Sequence, residues 1–94
     1  MSKHTPGPWT YEEEAYHMEQ VFGPKGLIAK VVGDSAETCF NAHLIAAAPD
    51  LLESLRLLHD NLAEYQRLNN LSGYDNSDMK MARAAIAKAK GATP

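Results

Sequence analysis

Leu51, Leu55, Leu58, Leu62 and Tyr65 recur at intervals of four, three, four and three, with Leu52 and Leu68 widening the stripe. Side chains at that spacing share one face of an α-helix, whereas a strand repeats every two residues. The chain must therefore contain a long amphipathic helix, predicted from about Asp50 to Asn70. At about 1.5 Å per residue such a helix is roughly 30 Å long. A globule of 94 residues has a radius of gyration of only about 12 Å. The helix is thus expected to span the domain, with part of its stripe meeting a second subunit, which makes the chain a homo-oligomer.

Two further helices are predicted around it. Asp34-Ser35-Ala36-Glu37 fits a capping box with Asp34 or Ser35 as the N-cap. The helix it opens carries Ala36, Phe40, Leu44 and Ala47 on one apolar face, with Cys39 and Ile45 beside it. Pro49 is expected to close or kink that helix, because its ring clashes with the carbonyl four residues back. Pro49-Asp50 also suits the first turn of the next helix. The last helix starts near Ser77 or Asp78, carries Met79, Ala82, Ile86 and Ala89 as a narrow seam, and stops at Gly91.

The first third has a different grammar. His4-Thr5-Pro6-Gly7-Pro8 is turn-forming, since two prolines fix φ and remove N–H donors. Strands are predicted from Trp9 to Tyr11, from His17 to Phe22 and from Leu27 to Val32, the last two joined by the turn Gly23-Pro24-Lys25-Gly26. Glu12-Glu13-Glu14 reads as a solvated turn between strands. The expected fold is α+β in a single domain, residues 1–94. A small three-stranded antiparallel meander (1–33) precedes three helices (34–91), of which the second is long.

Charge and composition narrow the function. The chain carries −3, with nine Lys/Arg against twelve Asp/Glu. That argues against a general nucleic-acid binder, whose affinity comes from cationic neutralisation of phosphates. The charge is unevenly held: residues 76–94 set Lys80, Arg83, Lys88 and Lys90 against Asp78, a net +3, and the other 75 residues carry −6. One cysteine excludes an internal disulfide framework and a multi-thiolate metal site. No apolar run reaches the roughly 18 residues of a membrane span, and the N-terminus has no secretory h-region. The expected compartment is the cytoplasm.

Candidate chemistry is sparse. Cys39 and His43 lie four apart on one predicted helix, the spacing of a thiolate–imidazole pair. Cys39 precedes Phe40 in an apolar helix, and a core cysteine is the preferred reading. His4, His17, His43 and His59 follow no metal-ligand pattern. No catalytic residue, metal ligand or cofactor site is assigned, and the chain is not expected to be an enzyme. Trp9, Tyr11 and Tyr16 are candidates for an aromatic platform, although Trp9 reads better as a hydrophobic lid. Lys25 stands in the glycine turn, and Lys80 and Arg83 share one face of the last helix, where an anionic ligand or acidic partner is the functional reading.

Two stretches then resemble a known family. His4-Thr5-Pro6-Gly7-Pro8-Trp9 and the run from Asn41 to Glu53, NAHLIAAAPDLLE, are similar to segments of a group of short bacteriophage and prophage proteins. The tail from Ala82 to Ala89 is similar to that group's C-terminal end. His43 stands where the group usually has arginine. The resemblance implies a phage setting and no defined activity. In that setting the expected function is a non-catalytic accessory protein that binds and inhibits a host protein, for instance a defence component such as a CRISPR effector. The alternatives are an oligomeric sponge for a cyclic-nucleotide second messenger, using Trp9, Tyr11, Lys25 or Arg83, and a structural or regulatory phage component.

Overall fold

The computed structural model describes residues 4–15, 18–33, 36–70 and 77–91. Three strands, β1 (Thr10–Ala15), β2 (Met18–Gly23) and β3 (Gly26–Val32), precede two helices, α1 (Glu37–Leu68) and α2 (Ser77–Ala89). The α+β class holds, but there are two helices where three were expected. The chain divides into two compact units, residues 1–51 and 52–94.

The strands form an antiparallel meander in the order β1-β2-β3. β1 is longer than the sequence suggests. Glu12 pairs with Gln20 and Glu13 with Glu19, so the acidic run continues a strand and is not a turn. Backbone pairing along β2 outweighs the weak strand preference of glutamate. Tyr16, with its expected place in an aromatic platform, and His17 lie outside the described residues. β2 and β3 meet through Gly23↔Gly26, with Pro24 and Lys25 at the tip, as the turn chemistry predicts. Gly26 has φ 128° with no neighbour near its missing side chain, so the turn needs glycine for its backbone alone. Ile28 is an extra residue between the pairs Val21↔Ala29 and Phe22↔Leu27, a bulge that turns its side chain against Gly23.

The principal correction concerns Pro49. α1 runs unbroken through it for 32 residues, about 48 Å at the usual rise. An interior proline loses one hydrogen bond and costs about 3 kcal/mol relative to alanine. Strong helix formers flank it on both sides, Ala46-Ala47-Ala48 and Leu51-Leu52. Its ring also lies against Gly7, where an added Cβ would sit 3.4 Å from the Pro49 Cβ. The N-terminal arm is tied at a second point, with Thr5 packed beside Gly23.

The second correction concerns which face of α1 is covered. The expected apolar positions Phe40 and Leu44 are exposed, as are Leu51, Leu58, Leu62 and Tyr65. Thr38, Ala42 and Gln66 are buried, and Ile45, Pro49, Leu52, Arg56, His59 and Ala63 are half-buried at the same four-and-three spacing, with Cys39, Ala46, Ala47 and Leu55 half-buried beside them. The covered side of the helix is thus offset from the Phe40–Leu44 stripe and takes in two of the expected apolar positions, Ala47 and Leu55. Ala42 is fully buried, and a side chain at Gly33 would collide with the Thr38 hydroxyl.

Helix ends follow their signals. Asp34 and Ser35 lie outside the described residues, and Glu37 supplies an acidic first turn. Asn70 takes a left-handed φ of 59° after α1, where Asn69 Nδ2 donates to the Tyr65 carbonyl at 2.8 Å. Gly91 does the same after α2 at φ 81°, its N–H donating to the Lys88 carbonyl. Among the described residues of the second unit, Gln66 of α1 and Met79 of α2 are buried. Among the described residues no helix is long and apolar enough to cross a membrane.

Pro49→Ala weighs the proline's cost against its contact. Restoring helix propensity gains about 3 kcal/mol, and losing two ring carbons from the Gly7 contact forfeits about 1.6 kcal/mol. The substitution is expected to raise stability by about 1 kcal/mol, measured by urea denaturation with unchanged slope.

Candidate functional site

One side-chain cluster joins β1 to the start of α1. Tyr11, Val21 and Ala29 are register partners across the sheet and therefore share one face. Glu19, two residues before Val21, shares that face, and both are buried. Tyr11 reaches α1 twice. Its phenol oxygen lies 3.5 Å from the Cys39 Sγ. Its ring lies over the His43 imidazole, with centroids 4.2 Å apart and planes tilted by 36°. Cys39 and His43 were expected on one helix face at i and i+4, and the tyrosine engages both.

The electrostatics of this cluster are unusual for its size. The Tyr11 phenol is held well above its ordinary value, first by the hydrogen bond with Cys39, then by desolvation, then by the negative charge of Cys39, Glu19 and Glu13. The Glu19 Oε2 is buried without a hydrogen-bond partner. A buried polar atom left unpaired costs about 1–3 kcal/mol, so Glu19 is a position where the sheet is not optimised for stability.

Beside this cluster α1 presents an apolar pair to solvent. Phe40 is 70% exposed and Leu44 62%. With the exposed His43 they stand at i, i+3 and i+4, one face of a helix. Tyr11 stacks on the edge of that face through His43. Sequence reasoning placed Phe40 and Leu44 in the core. The signal that would have moved them outward is the second stripe through Thr38, Ala42 and Ile45, which repeats with the same period on a neighbouring side of the helix.

The other candidates are dispersed. Trp9 is half-buried and turned back on its own arm: its indole N–H donates to the Thr5 carbonyl at 3.1 Å, and its ring meets His4 edge-on at 6.2 Å. Tyr11 is engaged with Cys39 and His43 instead, so Trp9 and Tyr11 have different neighbours. Lys25 is exposed at the hairpin tip. Lys80 and Arg83 are exposed on α2, in the second unit. Among the described residues no group of three His, Cys, Asp or Glu side chains is placed to hold a metal ion.

Comparison with known families matches residues 1–93 to the family described as Salmonella phage P22 protein Y8K6. The chain belongs to this phage family. The P22 Y8K6 family match covers both units, so it takes in the Tyr11 cluster and α2 alike. Searches among curated proteins and among solved structures find no match. The phage origin expected from the opening and central segments thus stands at the level of the family.

Two measurements test the cluster. The Tyr11 phenol is raised, so its contribution to stability is fully present below the ordinary tyrosine pKa of about 10 and is lost as pH climbs through the folded value. In an alkaline titration followed by tyrosinate absorbance, the component that Tyr11→Phe removes should ionise above the ordinary tyrosine value, and Cys39→Ala should bring it down. A Tyr11 component at the ordinary value in the parent chain would show that the Tyr11–Cys39 bond does not persist in solution. Separately, Glu19→Met removes the orphaned oxygen and should raise stability by about 1–3 kcal/mol in denaturant unfolding.

Proposed function

We propose that this phage protein is a non-catalytic accessory protein that acts by binding a host protein, and that Phe40, His43, Leu44 and the stacked Tyr11 form the contact face. The observation that carries this reading is the exposure of Phe40 and Leu44 beside an ordered aromatic pair. Interface centres are enriched in aromatic residues and depleted in charge, and a few such anchors dominate the energy. A rigid backing matters as much as area, because an anchor already held in place loses less freedom on binding. Tyr11 and Cys39 supply that backing from β1 and α1. The phage family gives the setting in which the bound host protein is inhibited, a defence component being one form of such a target.

A non-catalytic role fits the chemistry of the cluster. Cys39 and His43 have the spacing of a nucleophile and its base, yet the sulfur faces the Tyr11 hydroxyl and one face of the imidazole lies against the Tyr11 ring. A nucleophilic thiolate needs an electropositive surrounding, and the carboxylates of Glu13 and Glu19 act on this neighbourhood instead. No observation favours the nucleotide-sponge reading over this one.

The test is a pull-down from lysate of the phage's host with the tagged full chain. One host protein should be retained by the parent and lost, at least tenfold, by Phe40→Ala and Leu44→Ala. Tenfold corresponds to about 1.4 kcal/mol, a modest anchor. Both side chains are exposed, so circular dichroism and melting temperature should not change. Equal retention of that host protein by parent and variants would overturn the assignment of the face.

A further inference from the structure

The second unit carries an exposed helix face of its own. Within α1, Ser54, Leu58, Asn61, Tyr65 and Leu68 are spaced four, three, four and three, and Leu62 lies among them. At about 100° per residue these six fall within an arc of about 120°. All six are exposed. Leu58 is 69% accessible, Leu62 40%, Tyr65 59% and Leu68 65%. None of them is ionisable near neutral pH. The charged residues of this stretch are satisfied elsewhere on the helix: Arg56 pairs with Glu53 at 2.6 Å and with Asp60 at 3.3 Å, and Arg67 pairs with Glu64.

We infer that this face binds a second copy of the chain, as one half of a two-fold helix pair. Three observations choose a second copy over another occupant. The spacing is the 3.5-residue repeat with which helices supercoil around each other, and a helix with one such seam is complementary to itself. The arc holds no charge, so two copies meet across the two-fold axis without like-charge repulsion, the usual obstacle to a self-contact. The area suffices. At roughly 200 Å² per large apolar residue, the four apolar side chains leave on the order of 450 Å² in water per copy. Two copies with the flanking Ser54 and Asn61 reach the roughly 1,000 Å² that separates specific interfaces from incidental contacts.

Asn61 gives the pair its register. It is the polar residue at the middle of the seam, and a two-fold pairing centred there sets it beside the same residue of the second copy. A seam asparagine leaves its amide unpaired wherever it faces an apolar side chain, which favours the alignment that sets it beside its own copy over shifted ones. The contact lies on residues of the second unit, none of which belongs to the Phe40–Leu44 set assigned to a host protein, and its test does not depend on that reading.

The full chain is examined by sedimentation equilibrium across micromolar concentrations. The parent should have twice the 10.3 kDa of one chain. Asn61→Glu and Asn61→Lys each place like charges against themselves and should weaken self-association at least tenfold. Both residues favour helix more than asparagine does, so circular dichroism should show the fold intact. Mixing the two variants should restore a dimer, because opposite charges then meet. Phe40→Ala should remain dimeric. A monomeric parent at about 100 µM, a dimer unaffected by either Asn61 variant, a mixture no more associated than its components, or a dimer abolished by Phe40→Ala would each overturn the proposal.

Discussion

Which side α1 turns away from water is the constraint from which the first unit follows. Gly33 has no side chain, and the Thr38 hydroxyl occupies the space one would need. Ala42, one turn further along α1, is fully buried. Pro49 sits on Gly7, and Tyr11 bridges to Cys39 and His43. Each of these contacts fixes the rotation of the helix about its axis. With the small residues turned inward, Phe40 and Leu44 have nowhere to go but outward. One packing choice therefore makes both the core and the surface that is left to do something else.

That choice has an energetic cost that a protein selected only for stability would avoid. Large apolar side chains in water forgo about 1.5–3 kcal/mol each relative to full burial. Glu19 adds a buried oxygen with no partner. Departures from local consistency of this sort concentrate at functional positions, where the chain gives up stability for a contact it makes with something else. Their distribution is informative: the orphaned carboxylate and the Tyr11 stack back one exposed face in the first unit, and the seam around Asn61 forms another in the second.

Sequence reasoning recovered the elements better than their orientation. The meander, the Gly23–Gly26 turn, the stop at Asn69-Asn70 and the final helix from Ser77 to Gly91 all rest on local chemistry that one segment carries by itself. The proline break failed because helix propensity on both sides of Pro49 and its seat on Gly7 are properties of the surroundings. Orientation of α1 was misread for a related reason. A leucine stripe announces that a helix exists, but two stripes of the same period differ by a rotation that periodicity cannot see. The stripe through Thr38, Ala42 and Ile45 is less apolar than the one through Phe40 and Leu44, and the fit of Thr38 to Gly33 is a matter of packing that periodicity does not carry. Cys39 and His43 were legible as a pair from their spacing, whereas Tyr11, 28 residues away from Cys39, was not legible as the group that joins them.

The ion pairs of α1 bear on how such surfaces respond to their medium. Glu53, Arg56 and Asp60 form one set and Glu64 and Arg67 another, each closed within a single helix. Pairs so exposed contribute little to folding. The Glu64–Arg67 pair cancels, and the Glu53–Arg56–Asp60 set is left with a single net negative charge, so the field they add over the neighbouring arc is small and falls off within a Debye length. A contact made there is governed mainly by shape and by the release of water, and should respond less to ionic strength than an association built on steering charges.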